Sequence, residues 1–488
     1  YTIFSFLEQI EMIKSQAPNS KQYSMAEIQN SKLFNIKAGM NVHFIGIGGT
    51  GMSGLARIFQ NSGIKVSGSD QEKTKTTIAL QKEKIKIYIG HSLHHVAPNI
   101  DAVIYSPAIS DANIELLEAK KRHIPLLSYP QAVGLLTHEK KTICICGTHG
   151  KTTTTAMAAT VFIKTKKDPT VLVGATVKAL HNQNSRSGKS PWFILEACEY
   201  KRGFLNYKPK FLIITNIEAD HLDYFKGEKD YEKAFREFVE KVPEDGLIVA
   251  YMDDPRICRE QKFLFPTNAR IIWFGTSKKA DYHLLKNKIY FKKHLIGELN
   301  LKIPGEHNRL NATAVIALAD ALKLPMRQTI KALNSYEGAG QRFEKIGKIG
   351  KTTIIDDYGH HPTEIIATLR ACREKFGKKA KILCIFQPHQ YSRTYKLLDG
   401  FARAFQGADE VIIPNIFKVR DTAADVAKIS PPILVKEISK HHPCVRYGGG
   451  LEKTFQHVQK RQKDFDVIIT MGAGNVGVMA KKLVNFLP

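Results

Sequence analysis

From Val42 onward, short apolar runs rich in β-branched residues alternate with stretches whose apolar positions recur at helical spacing, the pattern of βαβ units and parallel sheets. The pattern predicts an α/β protein. Buried strands are expected at 42–47, 143–146, 193–195, 211–215, 353–355, 382–386, 411–413 and 467–470. Many of these runs end in a glycine-rich or polar cluster, which places the chemistry at the C-terminal ends of strands, where open α/β sheets bind ligands. Residues 1–37 fall outside the alternation. They begin without Met, lack the basic-then-apolar layout of a signal peptide and contain Met25 as a possible start, so they read as an uninterpreted extension.

A length of 488 residues fits about three domains with sizeable cores. Hydrophobic residues at 43% and charged residues at 24% describe an ordinary globular chain, and no run approaches the roughly 18 apolar residues of a membrane helix. Seven cysteines are an odd number spread thinly, which favours reduced thiols in the cytosol. Cys144 and Cys146 alternate on an expected strand without a partner pair at zinc spacing, so they read as core. Charge is the one departure: 72 Lys and Arg against 46 Asp and Glu leave a net +26, which favours polyanionic ligands. The basic residues stand in short groups such as Lys164, Lys166 and Lys167, and no recognition motif or basic stripe points to nucleic acid.

Two kinds of glycine loop carry candidate chemistry. Gly46-Ile47-Gly48-Gly49-Thr50-Gly51 ends the first expected strand and opens a helical pattern, so a pyrophosphate would meet backbone N–H groups there. Asp70 follows Gly51 by 19 residues, near the end of the next strand, where a carboxylate commonly meets a sugar hydroxyl. Alone, this loop points to a nicotinamide cofactor. However, Gly472-Ala473-Gly474-Asn475-Val476-Gly477 has the same spacing, and either loop can be a tight strand-to-helix turn without a ligand. More specific is Gly147-Thr148-His149-Gly150-Lys151-Thr152-Thr153 between an expected strand and helix. Its backbone would cradle phosphates, Lys151 would neutralise them and the Thr152 hydroxyl would reach Mg²⁺.

Downstream residues complete the candidate chemistry. Glu196 closes one strand, while Asp220 and His221 follow the run 211–215, so neighbouring strands would bring Glu196 and His221 to the phosphates. Magnesium prefers oxygen, which makes the histidine unusual, and taken singly each residue reads first as structural. His307, Asn308 and Asn311 open an alanine-rich helix and suit an adenine edge, with helix capping by Asn308 as the competing role. Arg342, the cluster from Asp356 to Pro362 and the segment from Pro388 to Arg393 adjoin strands. Their carboxylates, histidines and arginines suit an amino acid and an acyl phosphate.

The ordered segments HFIGIGGTGMSG, VSGSD, GTHGKTTTT, EACEY, TNIEADHLD, GEHNRLNA, IIDDYGHHPTE, FQPHQYSRT and TMGAGN together resemble the ATP-dependent amino-acid ligases that build the peptidoglycan stem peptide. The resemblance runs from about Val42 to the C-terminus. It implies a UDP-sugar-binding Rossmann-like domain over 38–138, a central P-loop ATPase domain over 139–341 and a Rossmann-like amino-acid domain over 342–488. It implies the cytoplasm, ATP and Mg²⁺ as cofactors, and UDP-N-acetylmuramate and L-alanine as substrates, joined through an acyl phosphate.

The resemblance also implies roles residue by residue. Gly46, Gly48, Gly49 and Gly51 with Ser69 and Asp70 would hold the uridine nucleotide. Gly147, Thr148, His149, Gly150, Lys151, Thr152 and Thr153 would hold ATP phosphates, with Thr152, Glu196 and His221 around magnesium. His307, Asn308 and Asn311 would face adenine, and Arg342 would contact ATP from the hinge. Tyr358, His360 and Arg393 would hold the amino acid, which makes Lys151, Glu196, His221, His360 and Arg393 the expected catalytic set. Two positions depart from the family pattern: Gln341 and Gln390 stand where arginines are common, and a neutral amide cannot replace a charge-assisted contact. Competing readings are a ligase that joins a preformed tripeptide to the same UDP-sugar, a nicotinamide oxidoreductase and a nucleic-acid binder.

Overall fold

The computed structural model describes residues 36–485, so the extension expected over 1–37 lies outside the described residues except for its last two positions. Three large sheets follow one another along the described chain, with a two-stranded ribbon of Cys258–Arg259 and Lys262–Phe263 beside them. The first has five parallel strands in the order Lys86–Ile89, Lys65–Asp70, Asn41–Ile45, Ala102–Tyr105 and Leu126–Ser128. The second has ten strands around a parallel centre that runs Arg270–Gly275, Leu247–Tyr251, Phe211–Ile214, Lys141–Cys146, Trp192–Glu196 and Thr170–Val177. Antiparallel strands close its edges, Gln183–Arg186 on one side and the ribbon Lys288–Phe291 with His294–Glu298 on the other. The third sheet has six strands, with Glu344–Ile349 antiparallel at the edge of an otherwise parallel set centred on Thr352–Asp357, Val467–Met471 and Ile382–Phe386.

The central strand shows why the sequence folds this way. Ile143, Cys144, Ile145 and Cys146 are all buried, as expected for a parallel strand covered on both faces. Both cysteines are free core residues. One covering helix, Lys151–Lys164, is buried continuously from Thr152 to Phe162, so only small or apolar residues fit. Two of its threonines, Thr155 and Thr160, are tolerated because they return their hydroxyls to the Lys151 and Ala156 carbonyls, at 2.8 and 2.7 Å. Among the described residues no helix is long and apolar enough to cross a membrane.

The first sheet docks on the second through the helix Thr50–Asn61. Gly54 faces the central sheet so closely that a Cβ there would stand 2.6 Å from Leu172 Cδ1 and 3.0 Å from Asn184 Nδ2. Arg57 reinforces the contact by donating to Asn184 Oδ1 at 3.2 Å.

Candidate functional site

The phosphate loop turns between the strand Lys141–Cys146 and the helix Lys151–Lys164, and two of its residues can only be glycine. Gly147 and Gly150 hold φ of 128° and 81°. A Cβ on Gly147 would also collide with Thr215 Oγ1. The helix opens without a side-chain cap, and its first backbone bond runs from Thr154 N to Gly150 O, which leaves the N–H groups of the first turn for an anion. Lys151 folds its ammonium back over this loop, donating to the Gly147 and Thr148 carbonyls at 2.6 and 2.9 Å and pairing with Glu199 at 3.0 Å. Burial opposes its charge, but Glu199 outweighs that and holds the lysine well above its ordinary pKa.

Register brings the expected metal residues together. Phe211–Ile214 and Trp192–Glu196 flank the loop-bearing strand on either side, with Ile145 opposite Glu196 and Cys146 opposite Ile214. Thr152 Oγ1 donates to Glu196 Oε1 at 2.9 Å, and His221 Nε2 lies 3.6 Å from Glu199 Oε1. Burial lowers the pKa of His221, so the ring is neutral, and its buried Nδ1 has no hydrogen-bond partner. The Thr152 hydroxyl and the Glu196 carboxylate therefore meet beside the phosphate loop, oxygen donors that suit a hard divalent cation, while the contact shown for His221 is to Glu199.

A cavity of about 470 Å³ opens from the loop toward the C-terminal sheet, with Thr152, His307, Asn308, Asn311 and Arg342 among its walls. Asn308 is not the helix cap: Gly305 holds that position, and the Asn308 amide donates to the Pro304 carbonyl at 2.6 Å. Arg342 reaches across the hinge, with its guanidinium 5.0 Å from the centre of the Tyr358 ring and 3.4 Å from Thr152 Oγ1. The cavity wall also includes Asp357, whose carboxyl burial pushes up to about 6.

The C-terminal domain contributes His360, His389 and Arg393. Burial lowers His360 to about 4 and His389 to about 3, so both rings are neutral. His360 Nδ1 lies 3.1 Å from the Tyr358 carbonyl, which places the proton on Nδ1 and leaves the Nε2 lone pair free to accept one. Arg393 is buried and donates to Asp220 Oδ1 through Nε and Nη2 at 3.1 and 2.8 Å. Gln390 points elsewhere: its amide meets the Val419 carbonyl at 3.4 Å, so Arg393 supplies the cation at this end. Gln341 turns instead to the C-terminal domain, toward Asp356 Oδ2 at 3.5 Å.

The residues expected to hold a uridine nucleotide lie in the first domain. Asp70 Oδ2 accepts from Gly48 N at 2.8 Å, while Gly46 N and Ile47 N donate to the Ser69 carbonyl at 2.8 and 3.0 Å. The Ser69 hydroxyl is buried and donates to Glu115 Oε2 at 2.5 Å, so that side chain faces the domain interior. Gly49 ends the loop at the uncapped start of the helix that includes Gly51. The second loop of this spacing is filled by protein: Gln387 Oε1 accepts from Val476 N at 3.0 Å, and its amide donates to Asn475 Oδ1 at 2.9 Å.

Several polar residues of the site escape a reading by motif. Glu199 anchors Lys151 and accepts from Tyr231 Oη at 3.1 Å; its place three residues after Glu196 in EACEY is the signal that marks it. His149 carries its ring between two carboxylates, Nε2 at 2.9 Å from Glu218 and Nδ1 at 3.1 Å from Glu364 of the C-terminal domain. Burial disfavours its charge, but these two hydrogen bonds prevail and push its pKa up to about 9. The resulting stabilisation is fully present below pH 6.5, the ordinary histidine value, and is lost as pH rises through about 9. Urea unfolding at pH 7 and pH 10 is expected to show a larger loss of stability for the native chain than for His149→Asn.

Three family models match in order: the Mur ligase family catalytic domain over 41–141, the Mur ligase middle domain over 145–319 and the Mur ligase glutamate ligase domain over 341–474. A UDP-N-acetylmuramate--L-alanine ligase of Clostridium kluyveri is 38% identical over 93% of this chain and 99% of its own length. The enzyme of that name from Persephonella marina is 40% identical over 92% and 97%. Among solved structures, the UDP-N-acetylmuramate-alanine ligase of Thermotoga maritima superposes with a TM-score of 0.76 at 30% identity, covering 91% of this chain and 98% of that one. A murein peptide ligase from Psychrobacter arcticus reaches 0.70 at 22% identity, which speaks for the fold alone. Three family models in order along the chain, with relatives 38% and 40% identical over more than nine-tenths of it, place it in the Mur ligase family.

Proposed function

We propose that the chain uses ATP to join L-alanine to the lactyl carboxylate of UDP-N-acetylmuramate through an acyl phosphate, a step of peptidoglycan precursor synthesis. The observation that carries this reading is a continuous cavity that runs from the phosphate loop to the C-terminal domain, walled by residues of both. The names of relatives 36–40% identical over about nine-tenths of the chain support the choice of L-alanine.

Each group has a task that its surroundings allow. The first turn after Gly150 would receive the phosphates, and Lys151, kept charged by Glu199, would turn from its loop carbonyls to them. Thr152, Glu196 and His221 would hold Mg²⁺, which when bound neutralises charge that develops on the transferred phosphoryl group. Arg393 would bind the amino-acid carboxylate. The attacking amine must be neutral, and His360, uncharged with a free Nε2 lone pair, is suited to accept a hydrogen bond from it and orient it. The docked C-terminal domain would keep water from the acyl phosphate.

Thermal unfolding tests the pairing of substrates. UDP-N-acetylmuramate and a non-hydrolysable ATP analogue at about 100 times Kd should each stabilise the chain by about 2.7 kcal/mol, whereas NAD should leave the transition unmoved. Protection by NAD alone would favour the oxidoreductase reading.

A further inference from the structure

Between the strand Phe211–Ile214 and the helix Glu228–Val239 the chain passes through Glu218, Asp220, His221, Leu222 and Asp223, and the C-terminal domain clasps this segment along its length. Thr363 Oγ1 donates to Glu218 Oε1 at 2.9 Å, Lys396 Nζ donates to the Leu222 carbonyl at 2.7 Å, and Arg420 stands 3.6 Å from the Asp223 carboxylate. The buried centre of the clasp is Asp220. Its Oδ1 accepts from Arg393 Nε at 3.1 Å and Nη2 at 2.8 Å, and also from the backbone N–H of His221 at 2.7 Å.

One oxygen atom therefore touches both ends of the reaction. Arg393 is the cation of the amino-acid end, and His221 belongs to the metal end. His221 also holds a left-handed backbone, φ 52°, which is uncommon for a residue other than glycine and persists only where neighbours impose it. Its carbonyl is fixed by the Tyr224 and Phe225 N–H groups at 2.9 and 3.0 Å, and its own N–H by Asp220. A carboxylate that binds Arg393 competes for the guanidinium donors now given to Asp220. Any shift of that shared oxygen reaches the His221 peptide one bond set away.

We infer that Asp220 is a positioning residue that couples the amino-acid arginine Arg393 to the metal histidine His221, so that amino acid and metal ion bind cooperatively. This rests on the functional reading above. The sign is positive, because a substrate carboxylate that takes over the Arg393 donors leaves the Asp220 carboxylate less neutralised beside His221, and that negative charge makes the site more hospitable to a cation. Coupling of binding equilibria is reciprocal: the amino acid tightens the metal by the factor by which the metal tightens the amino acid.

The test titrates Mn²⁺ into the full chain, followed by the electron paramagnetic resonance of the free ion, with UDP-N-acetylmuramate and a non-hydrolysable ATP analogue present and with or without L-alanine. L-alanine should lower the apparent Kd of Mn²⁺ about fivefold or more in the native chain, within the usual range of such couplings. Asp220→Asn should reduce the factor to under about twofold, and so should Arg393→Lys, which keeps the charge but loses the two-pronged contact. Asp223→Asn removes another contact of the clasp and should retain the native factor. If Asp220→Asn does not fold, Arg393→Lys alone decides. Retention of the coupling in both variants would show that it runs through space, and its loss in Asp223→Asn would assign it to the whole clasp; either result overturns the inference. Turnover of the native chain, measured in parallel, separates the two levels: no L-alanine-dependent turnover defeats the functional reading, while turnover without coupling defeats only the role of Asp220.

Discussion

Replacing Lys151 with alanine is expected to lower kcat about 10³-fold, the scale on which a positioned cation acts on a transferring phosphoryl group. The lysine already sits over the phosphate loop with its ammonium 2.6 Å from the Gly147 carbonyl, so a small rotation brings it to the phosphates. Its removal has a second consequence. Glu199, almost wholly buried, would retain the Tyr231 hydroxyl but lose its cation, and breaking a buried pair in this way costs about 3–5 kcal/mol. The variant should therefore melt at lower temperature as well as turn over slowly. Measuring kcat well below its melting transition separates the two effects, and a fall of less than tenfold under those conditions would remove Lys151 from the chemistry.

Arg393→Ala should act on the other substrate. Loss of a charge-assisted, two-pronged contact is expected to raise the KM for L-alanine about 100-fold, with the KM for ATP changed only a few-fold. Gln390 cannot compensate, because its amide is committed to the Val419 carbonyl. The variant also leaves Asp220 buried without its partner, which weakens the attachment of the C-terminal domain to the segment bearing His221. Initial-rate measurements with each substrate varied in turn check this, and an equal rise in both KM values would mean that Arg393 serves docking alone.

The fold is legible where strands are buried on both faces. The runs at 143–146 and 382–386 have no polar face and match Lys141–Cys146 and Ile382–Phe386 in the structure. Edge strands leave a fainter trace: Gln183–Arg186 is entirely polar, pairs only with Thr170–Val177, and buries Asn184 and Ser185 against the first-domain helix Thr50–Asn61. The candidate site divides in the same way. Loop residues such as Lys151 and Thr152 announce themselves by spacing, since glycine geometry and phosphate chemistry fix the order of residue types. Glu218 and Glu364 do not, because each acts by holding another side chain, and the partners lie up to 215 positions apart, as for His149 and Glu364. Only the folded chain shows that the histidine of the phosphate loop is gripped from the C-terminal domain.

The central claim is that this chain activates the carboxylate of UDP-N-acetylmuramate with ATP for attack by L-alanine. The most direct measurement is phosphate release by the purified protein with Mg-ATP and UDP-N-acetylmuramate, comparing L-alanine, glycine, L-serine and the tripeptide L-Ala-D-Glu-diaminopimelate, with the product mass determined. Release that depends on L-alanine and a product heavier by one alanyl residue are the expected results. Release with the tripeptide and none with L-alanine would contradict the account and assign the chain to tripeptide ligation.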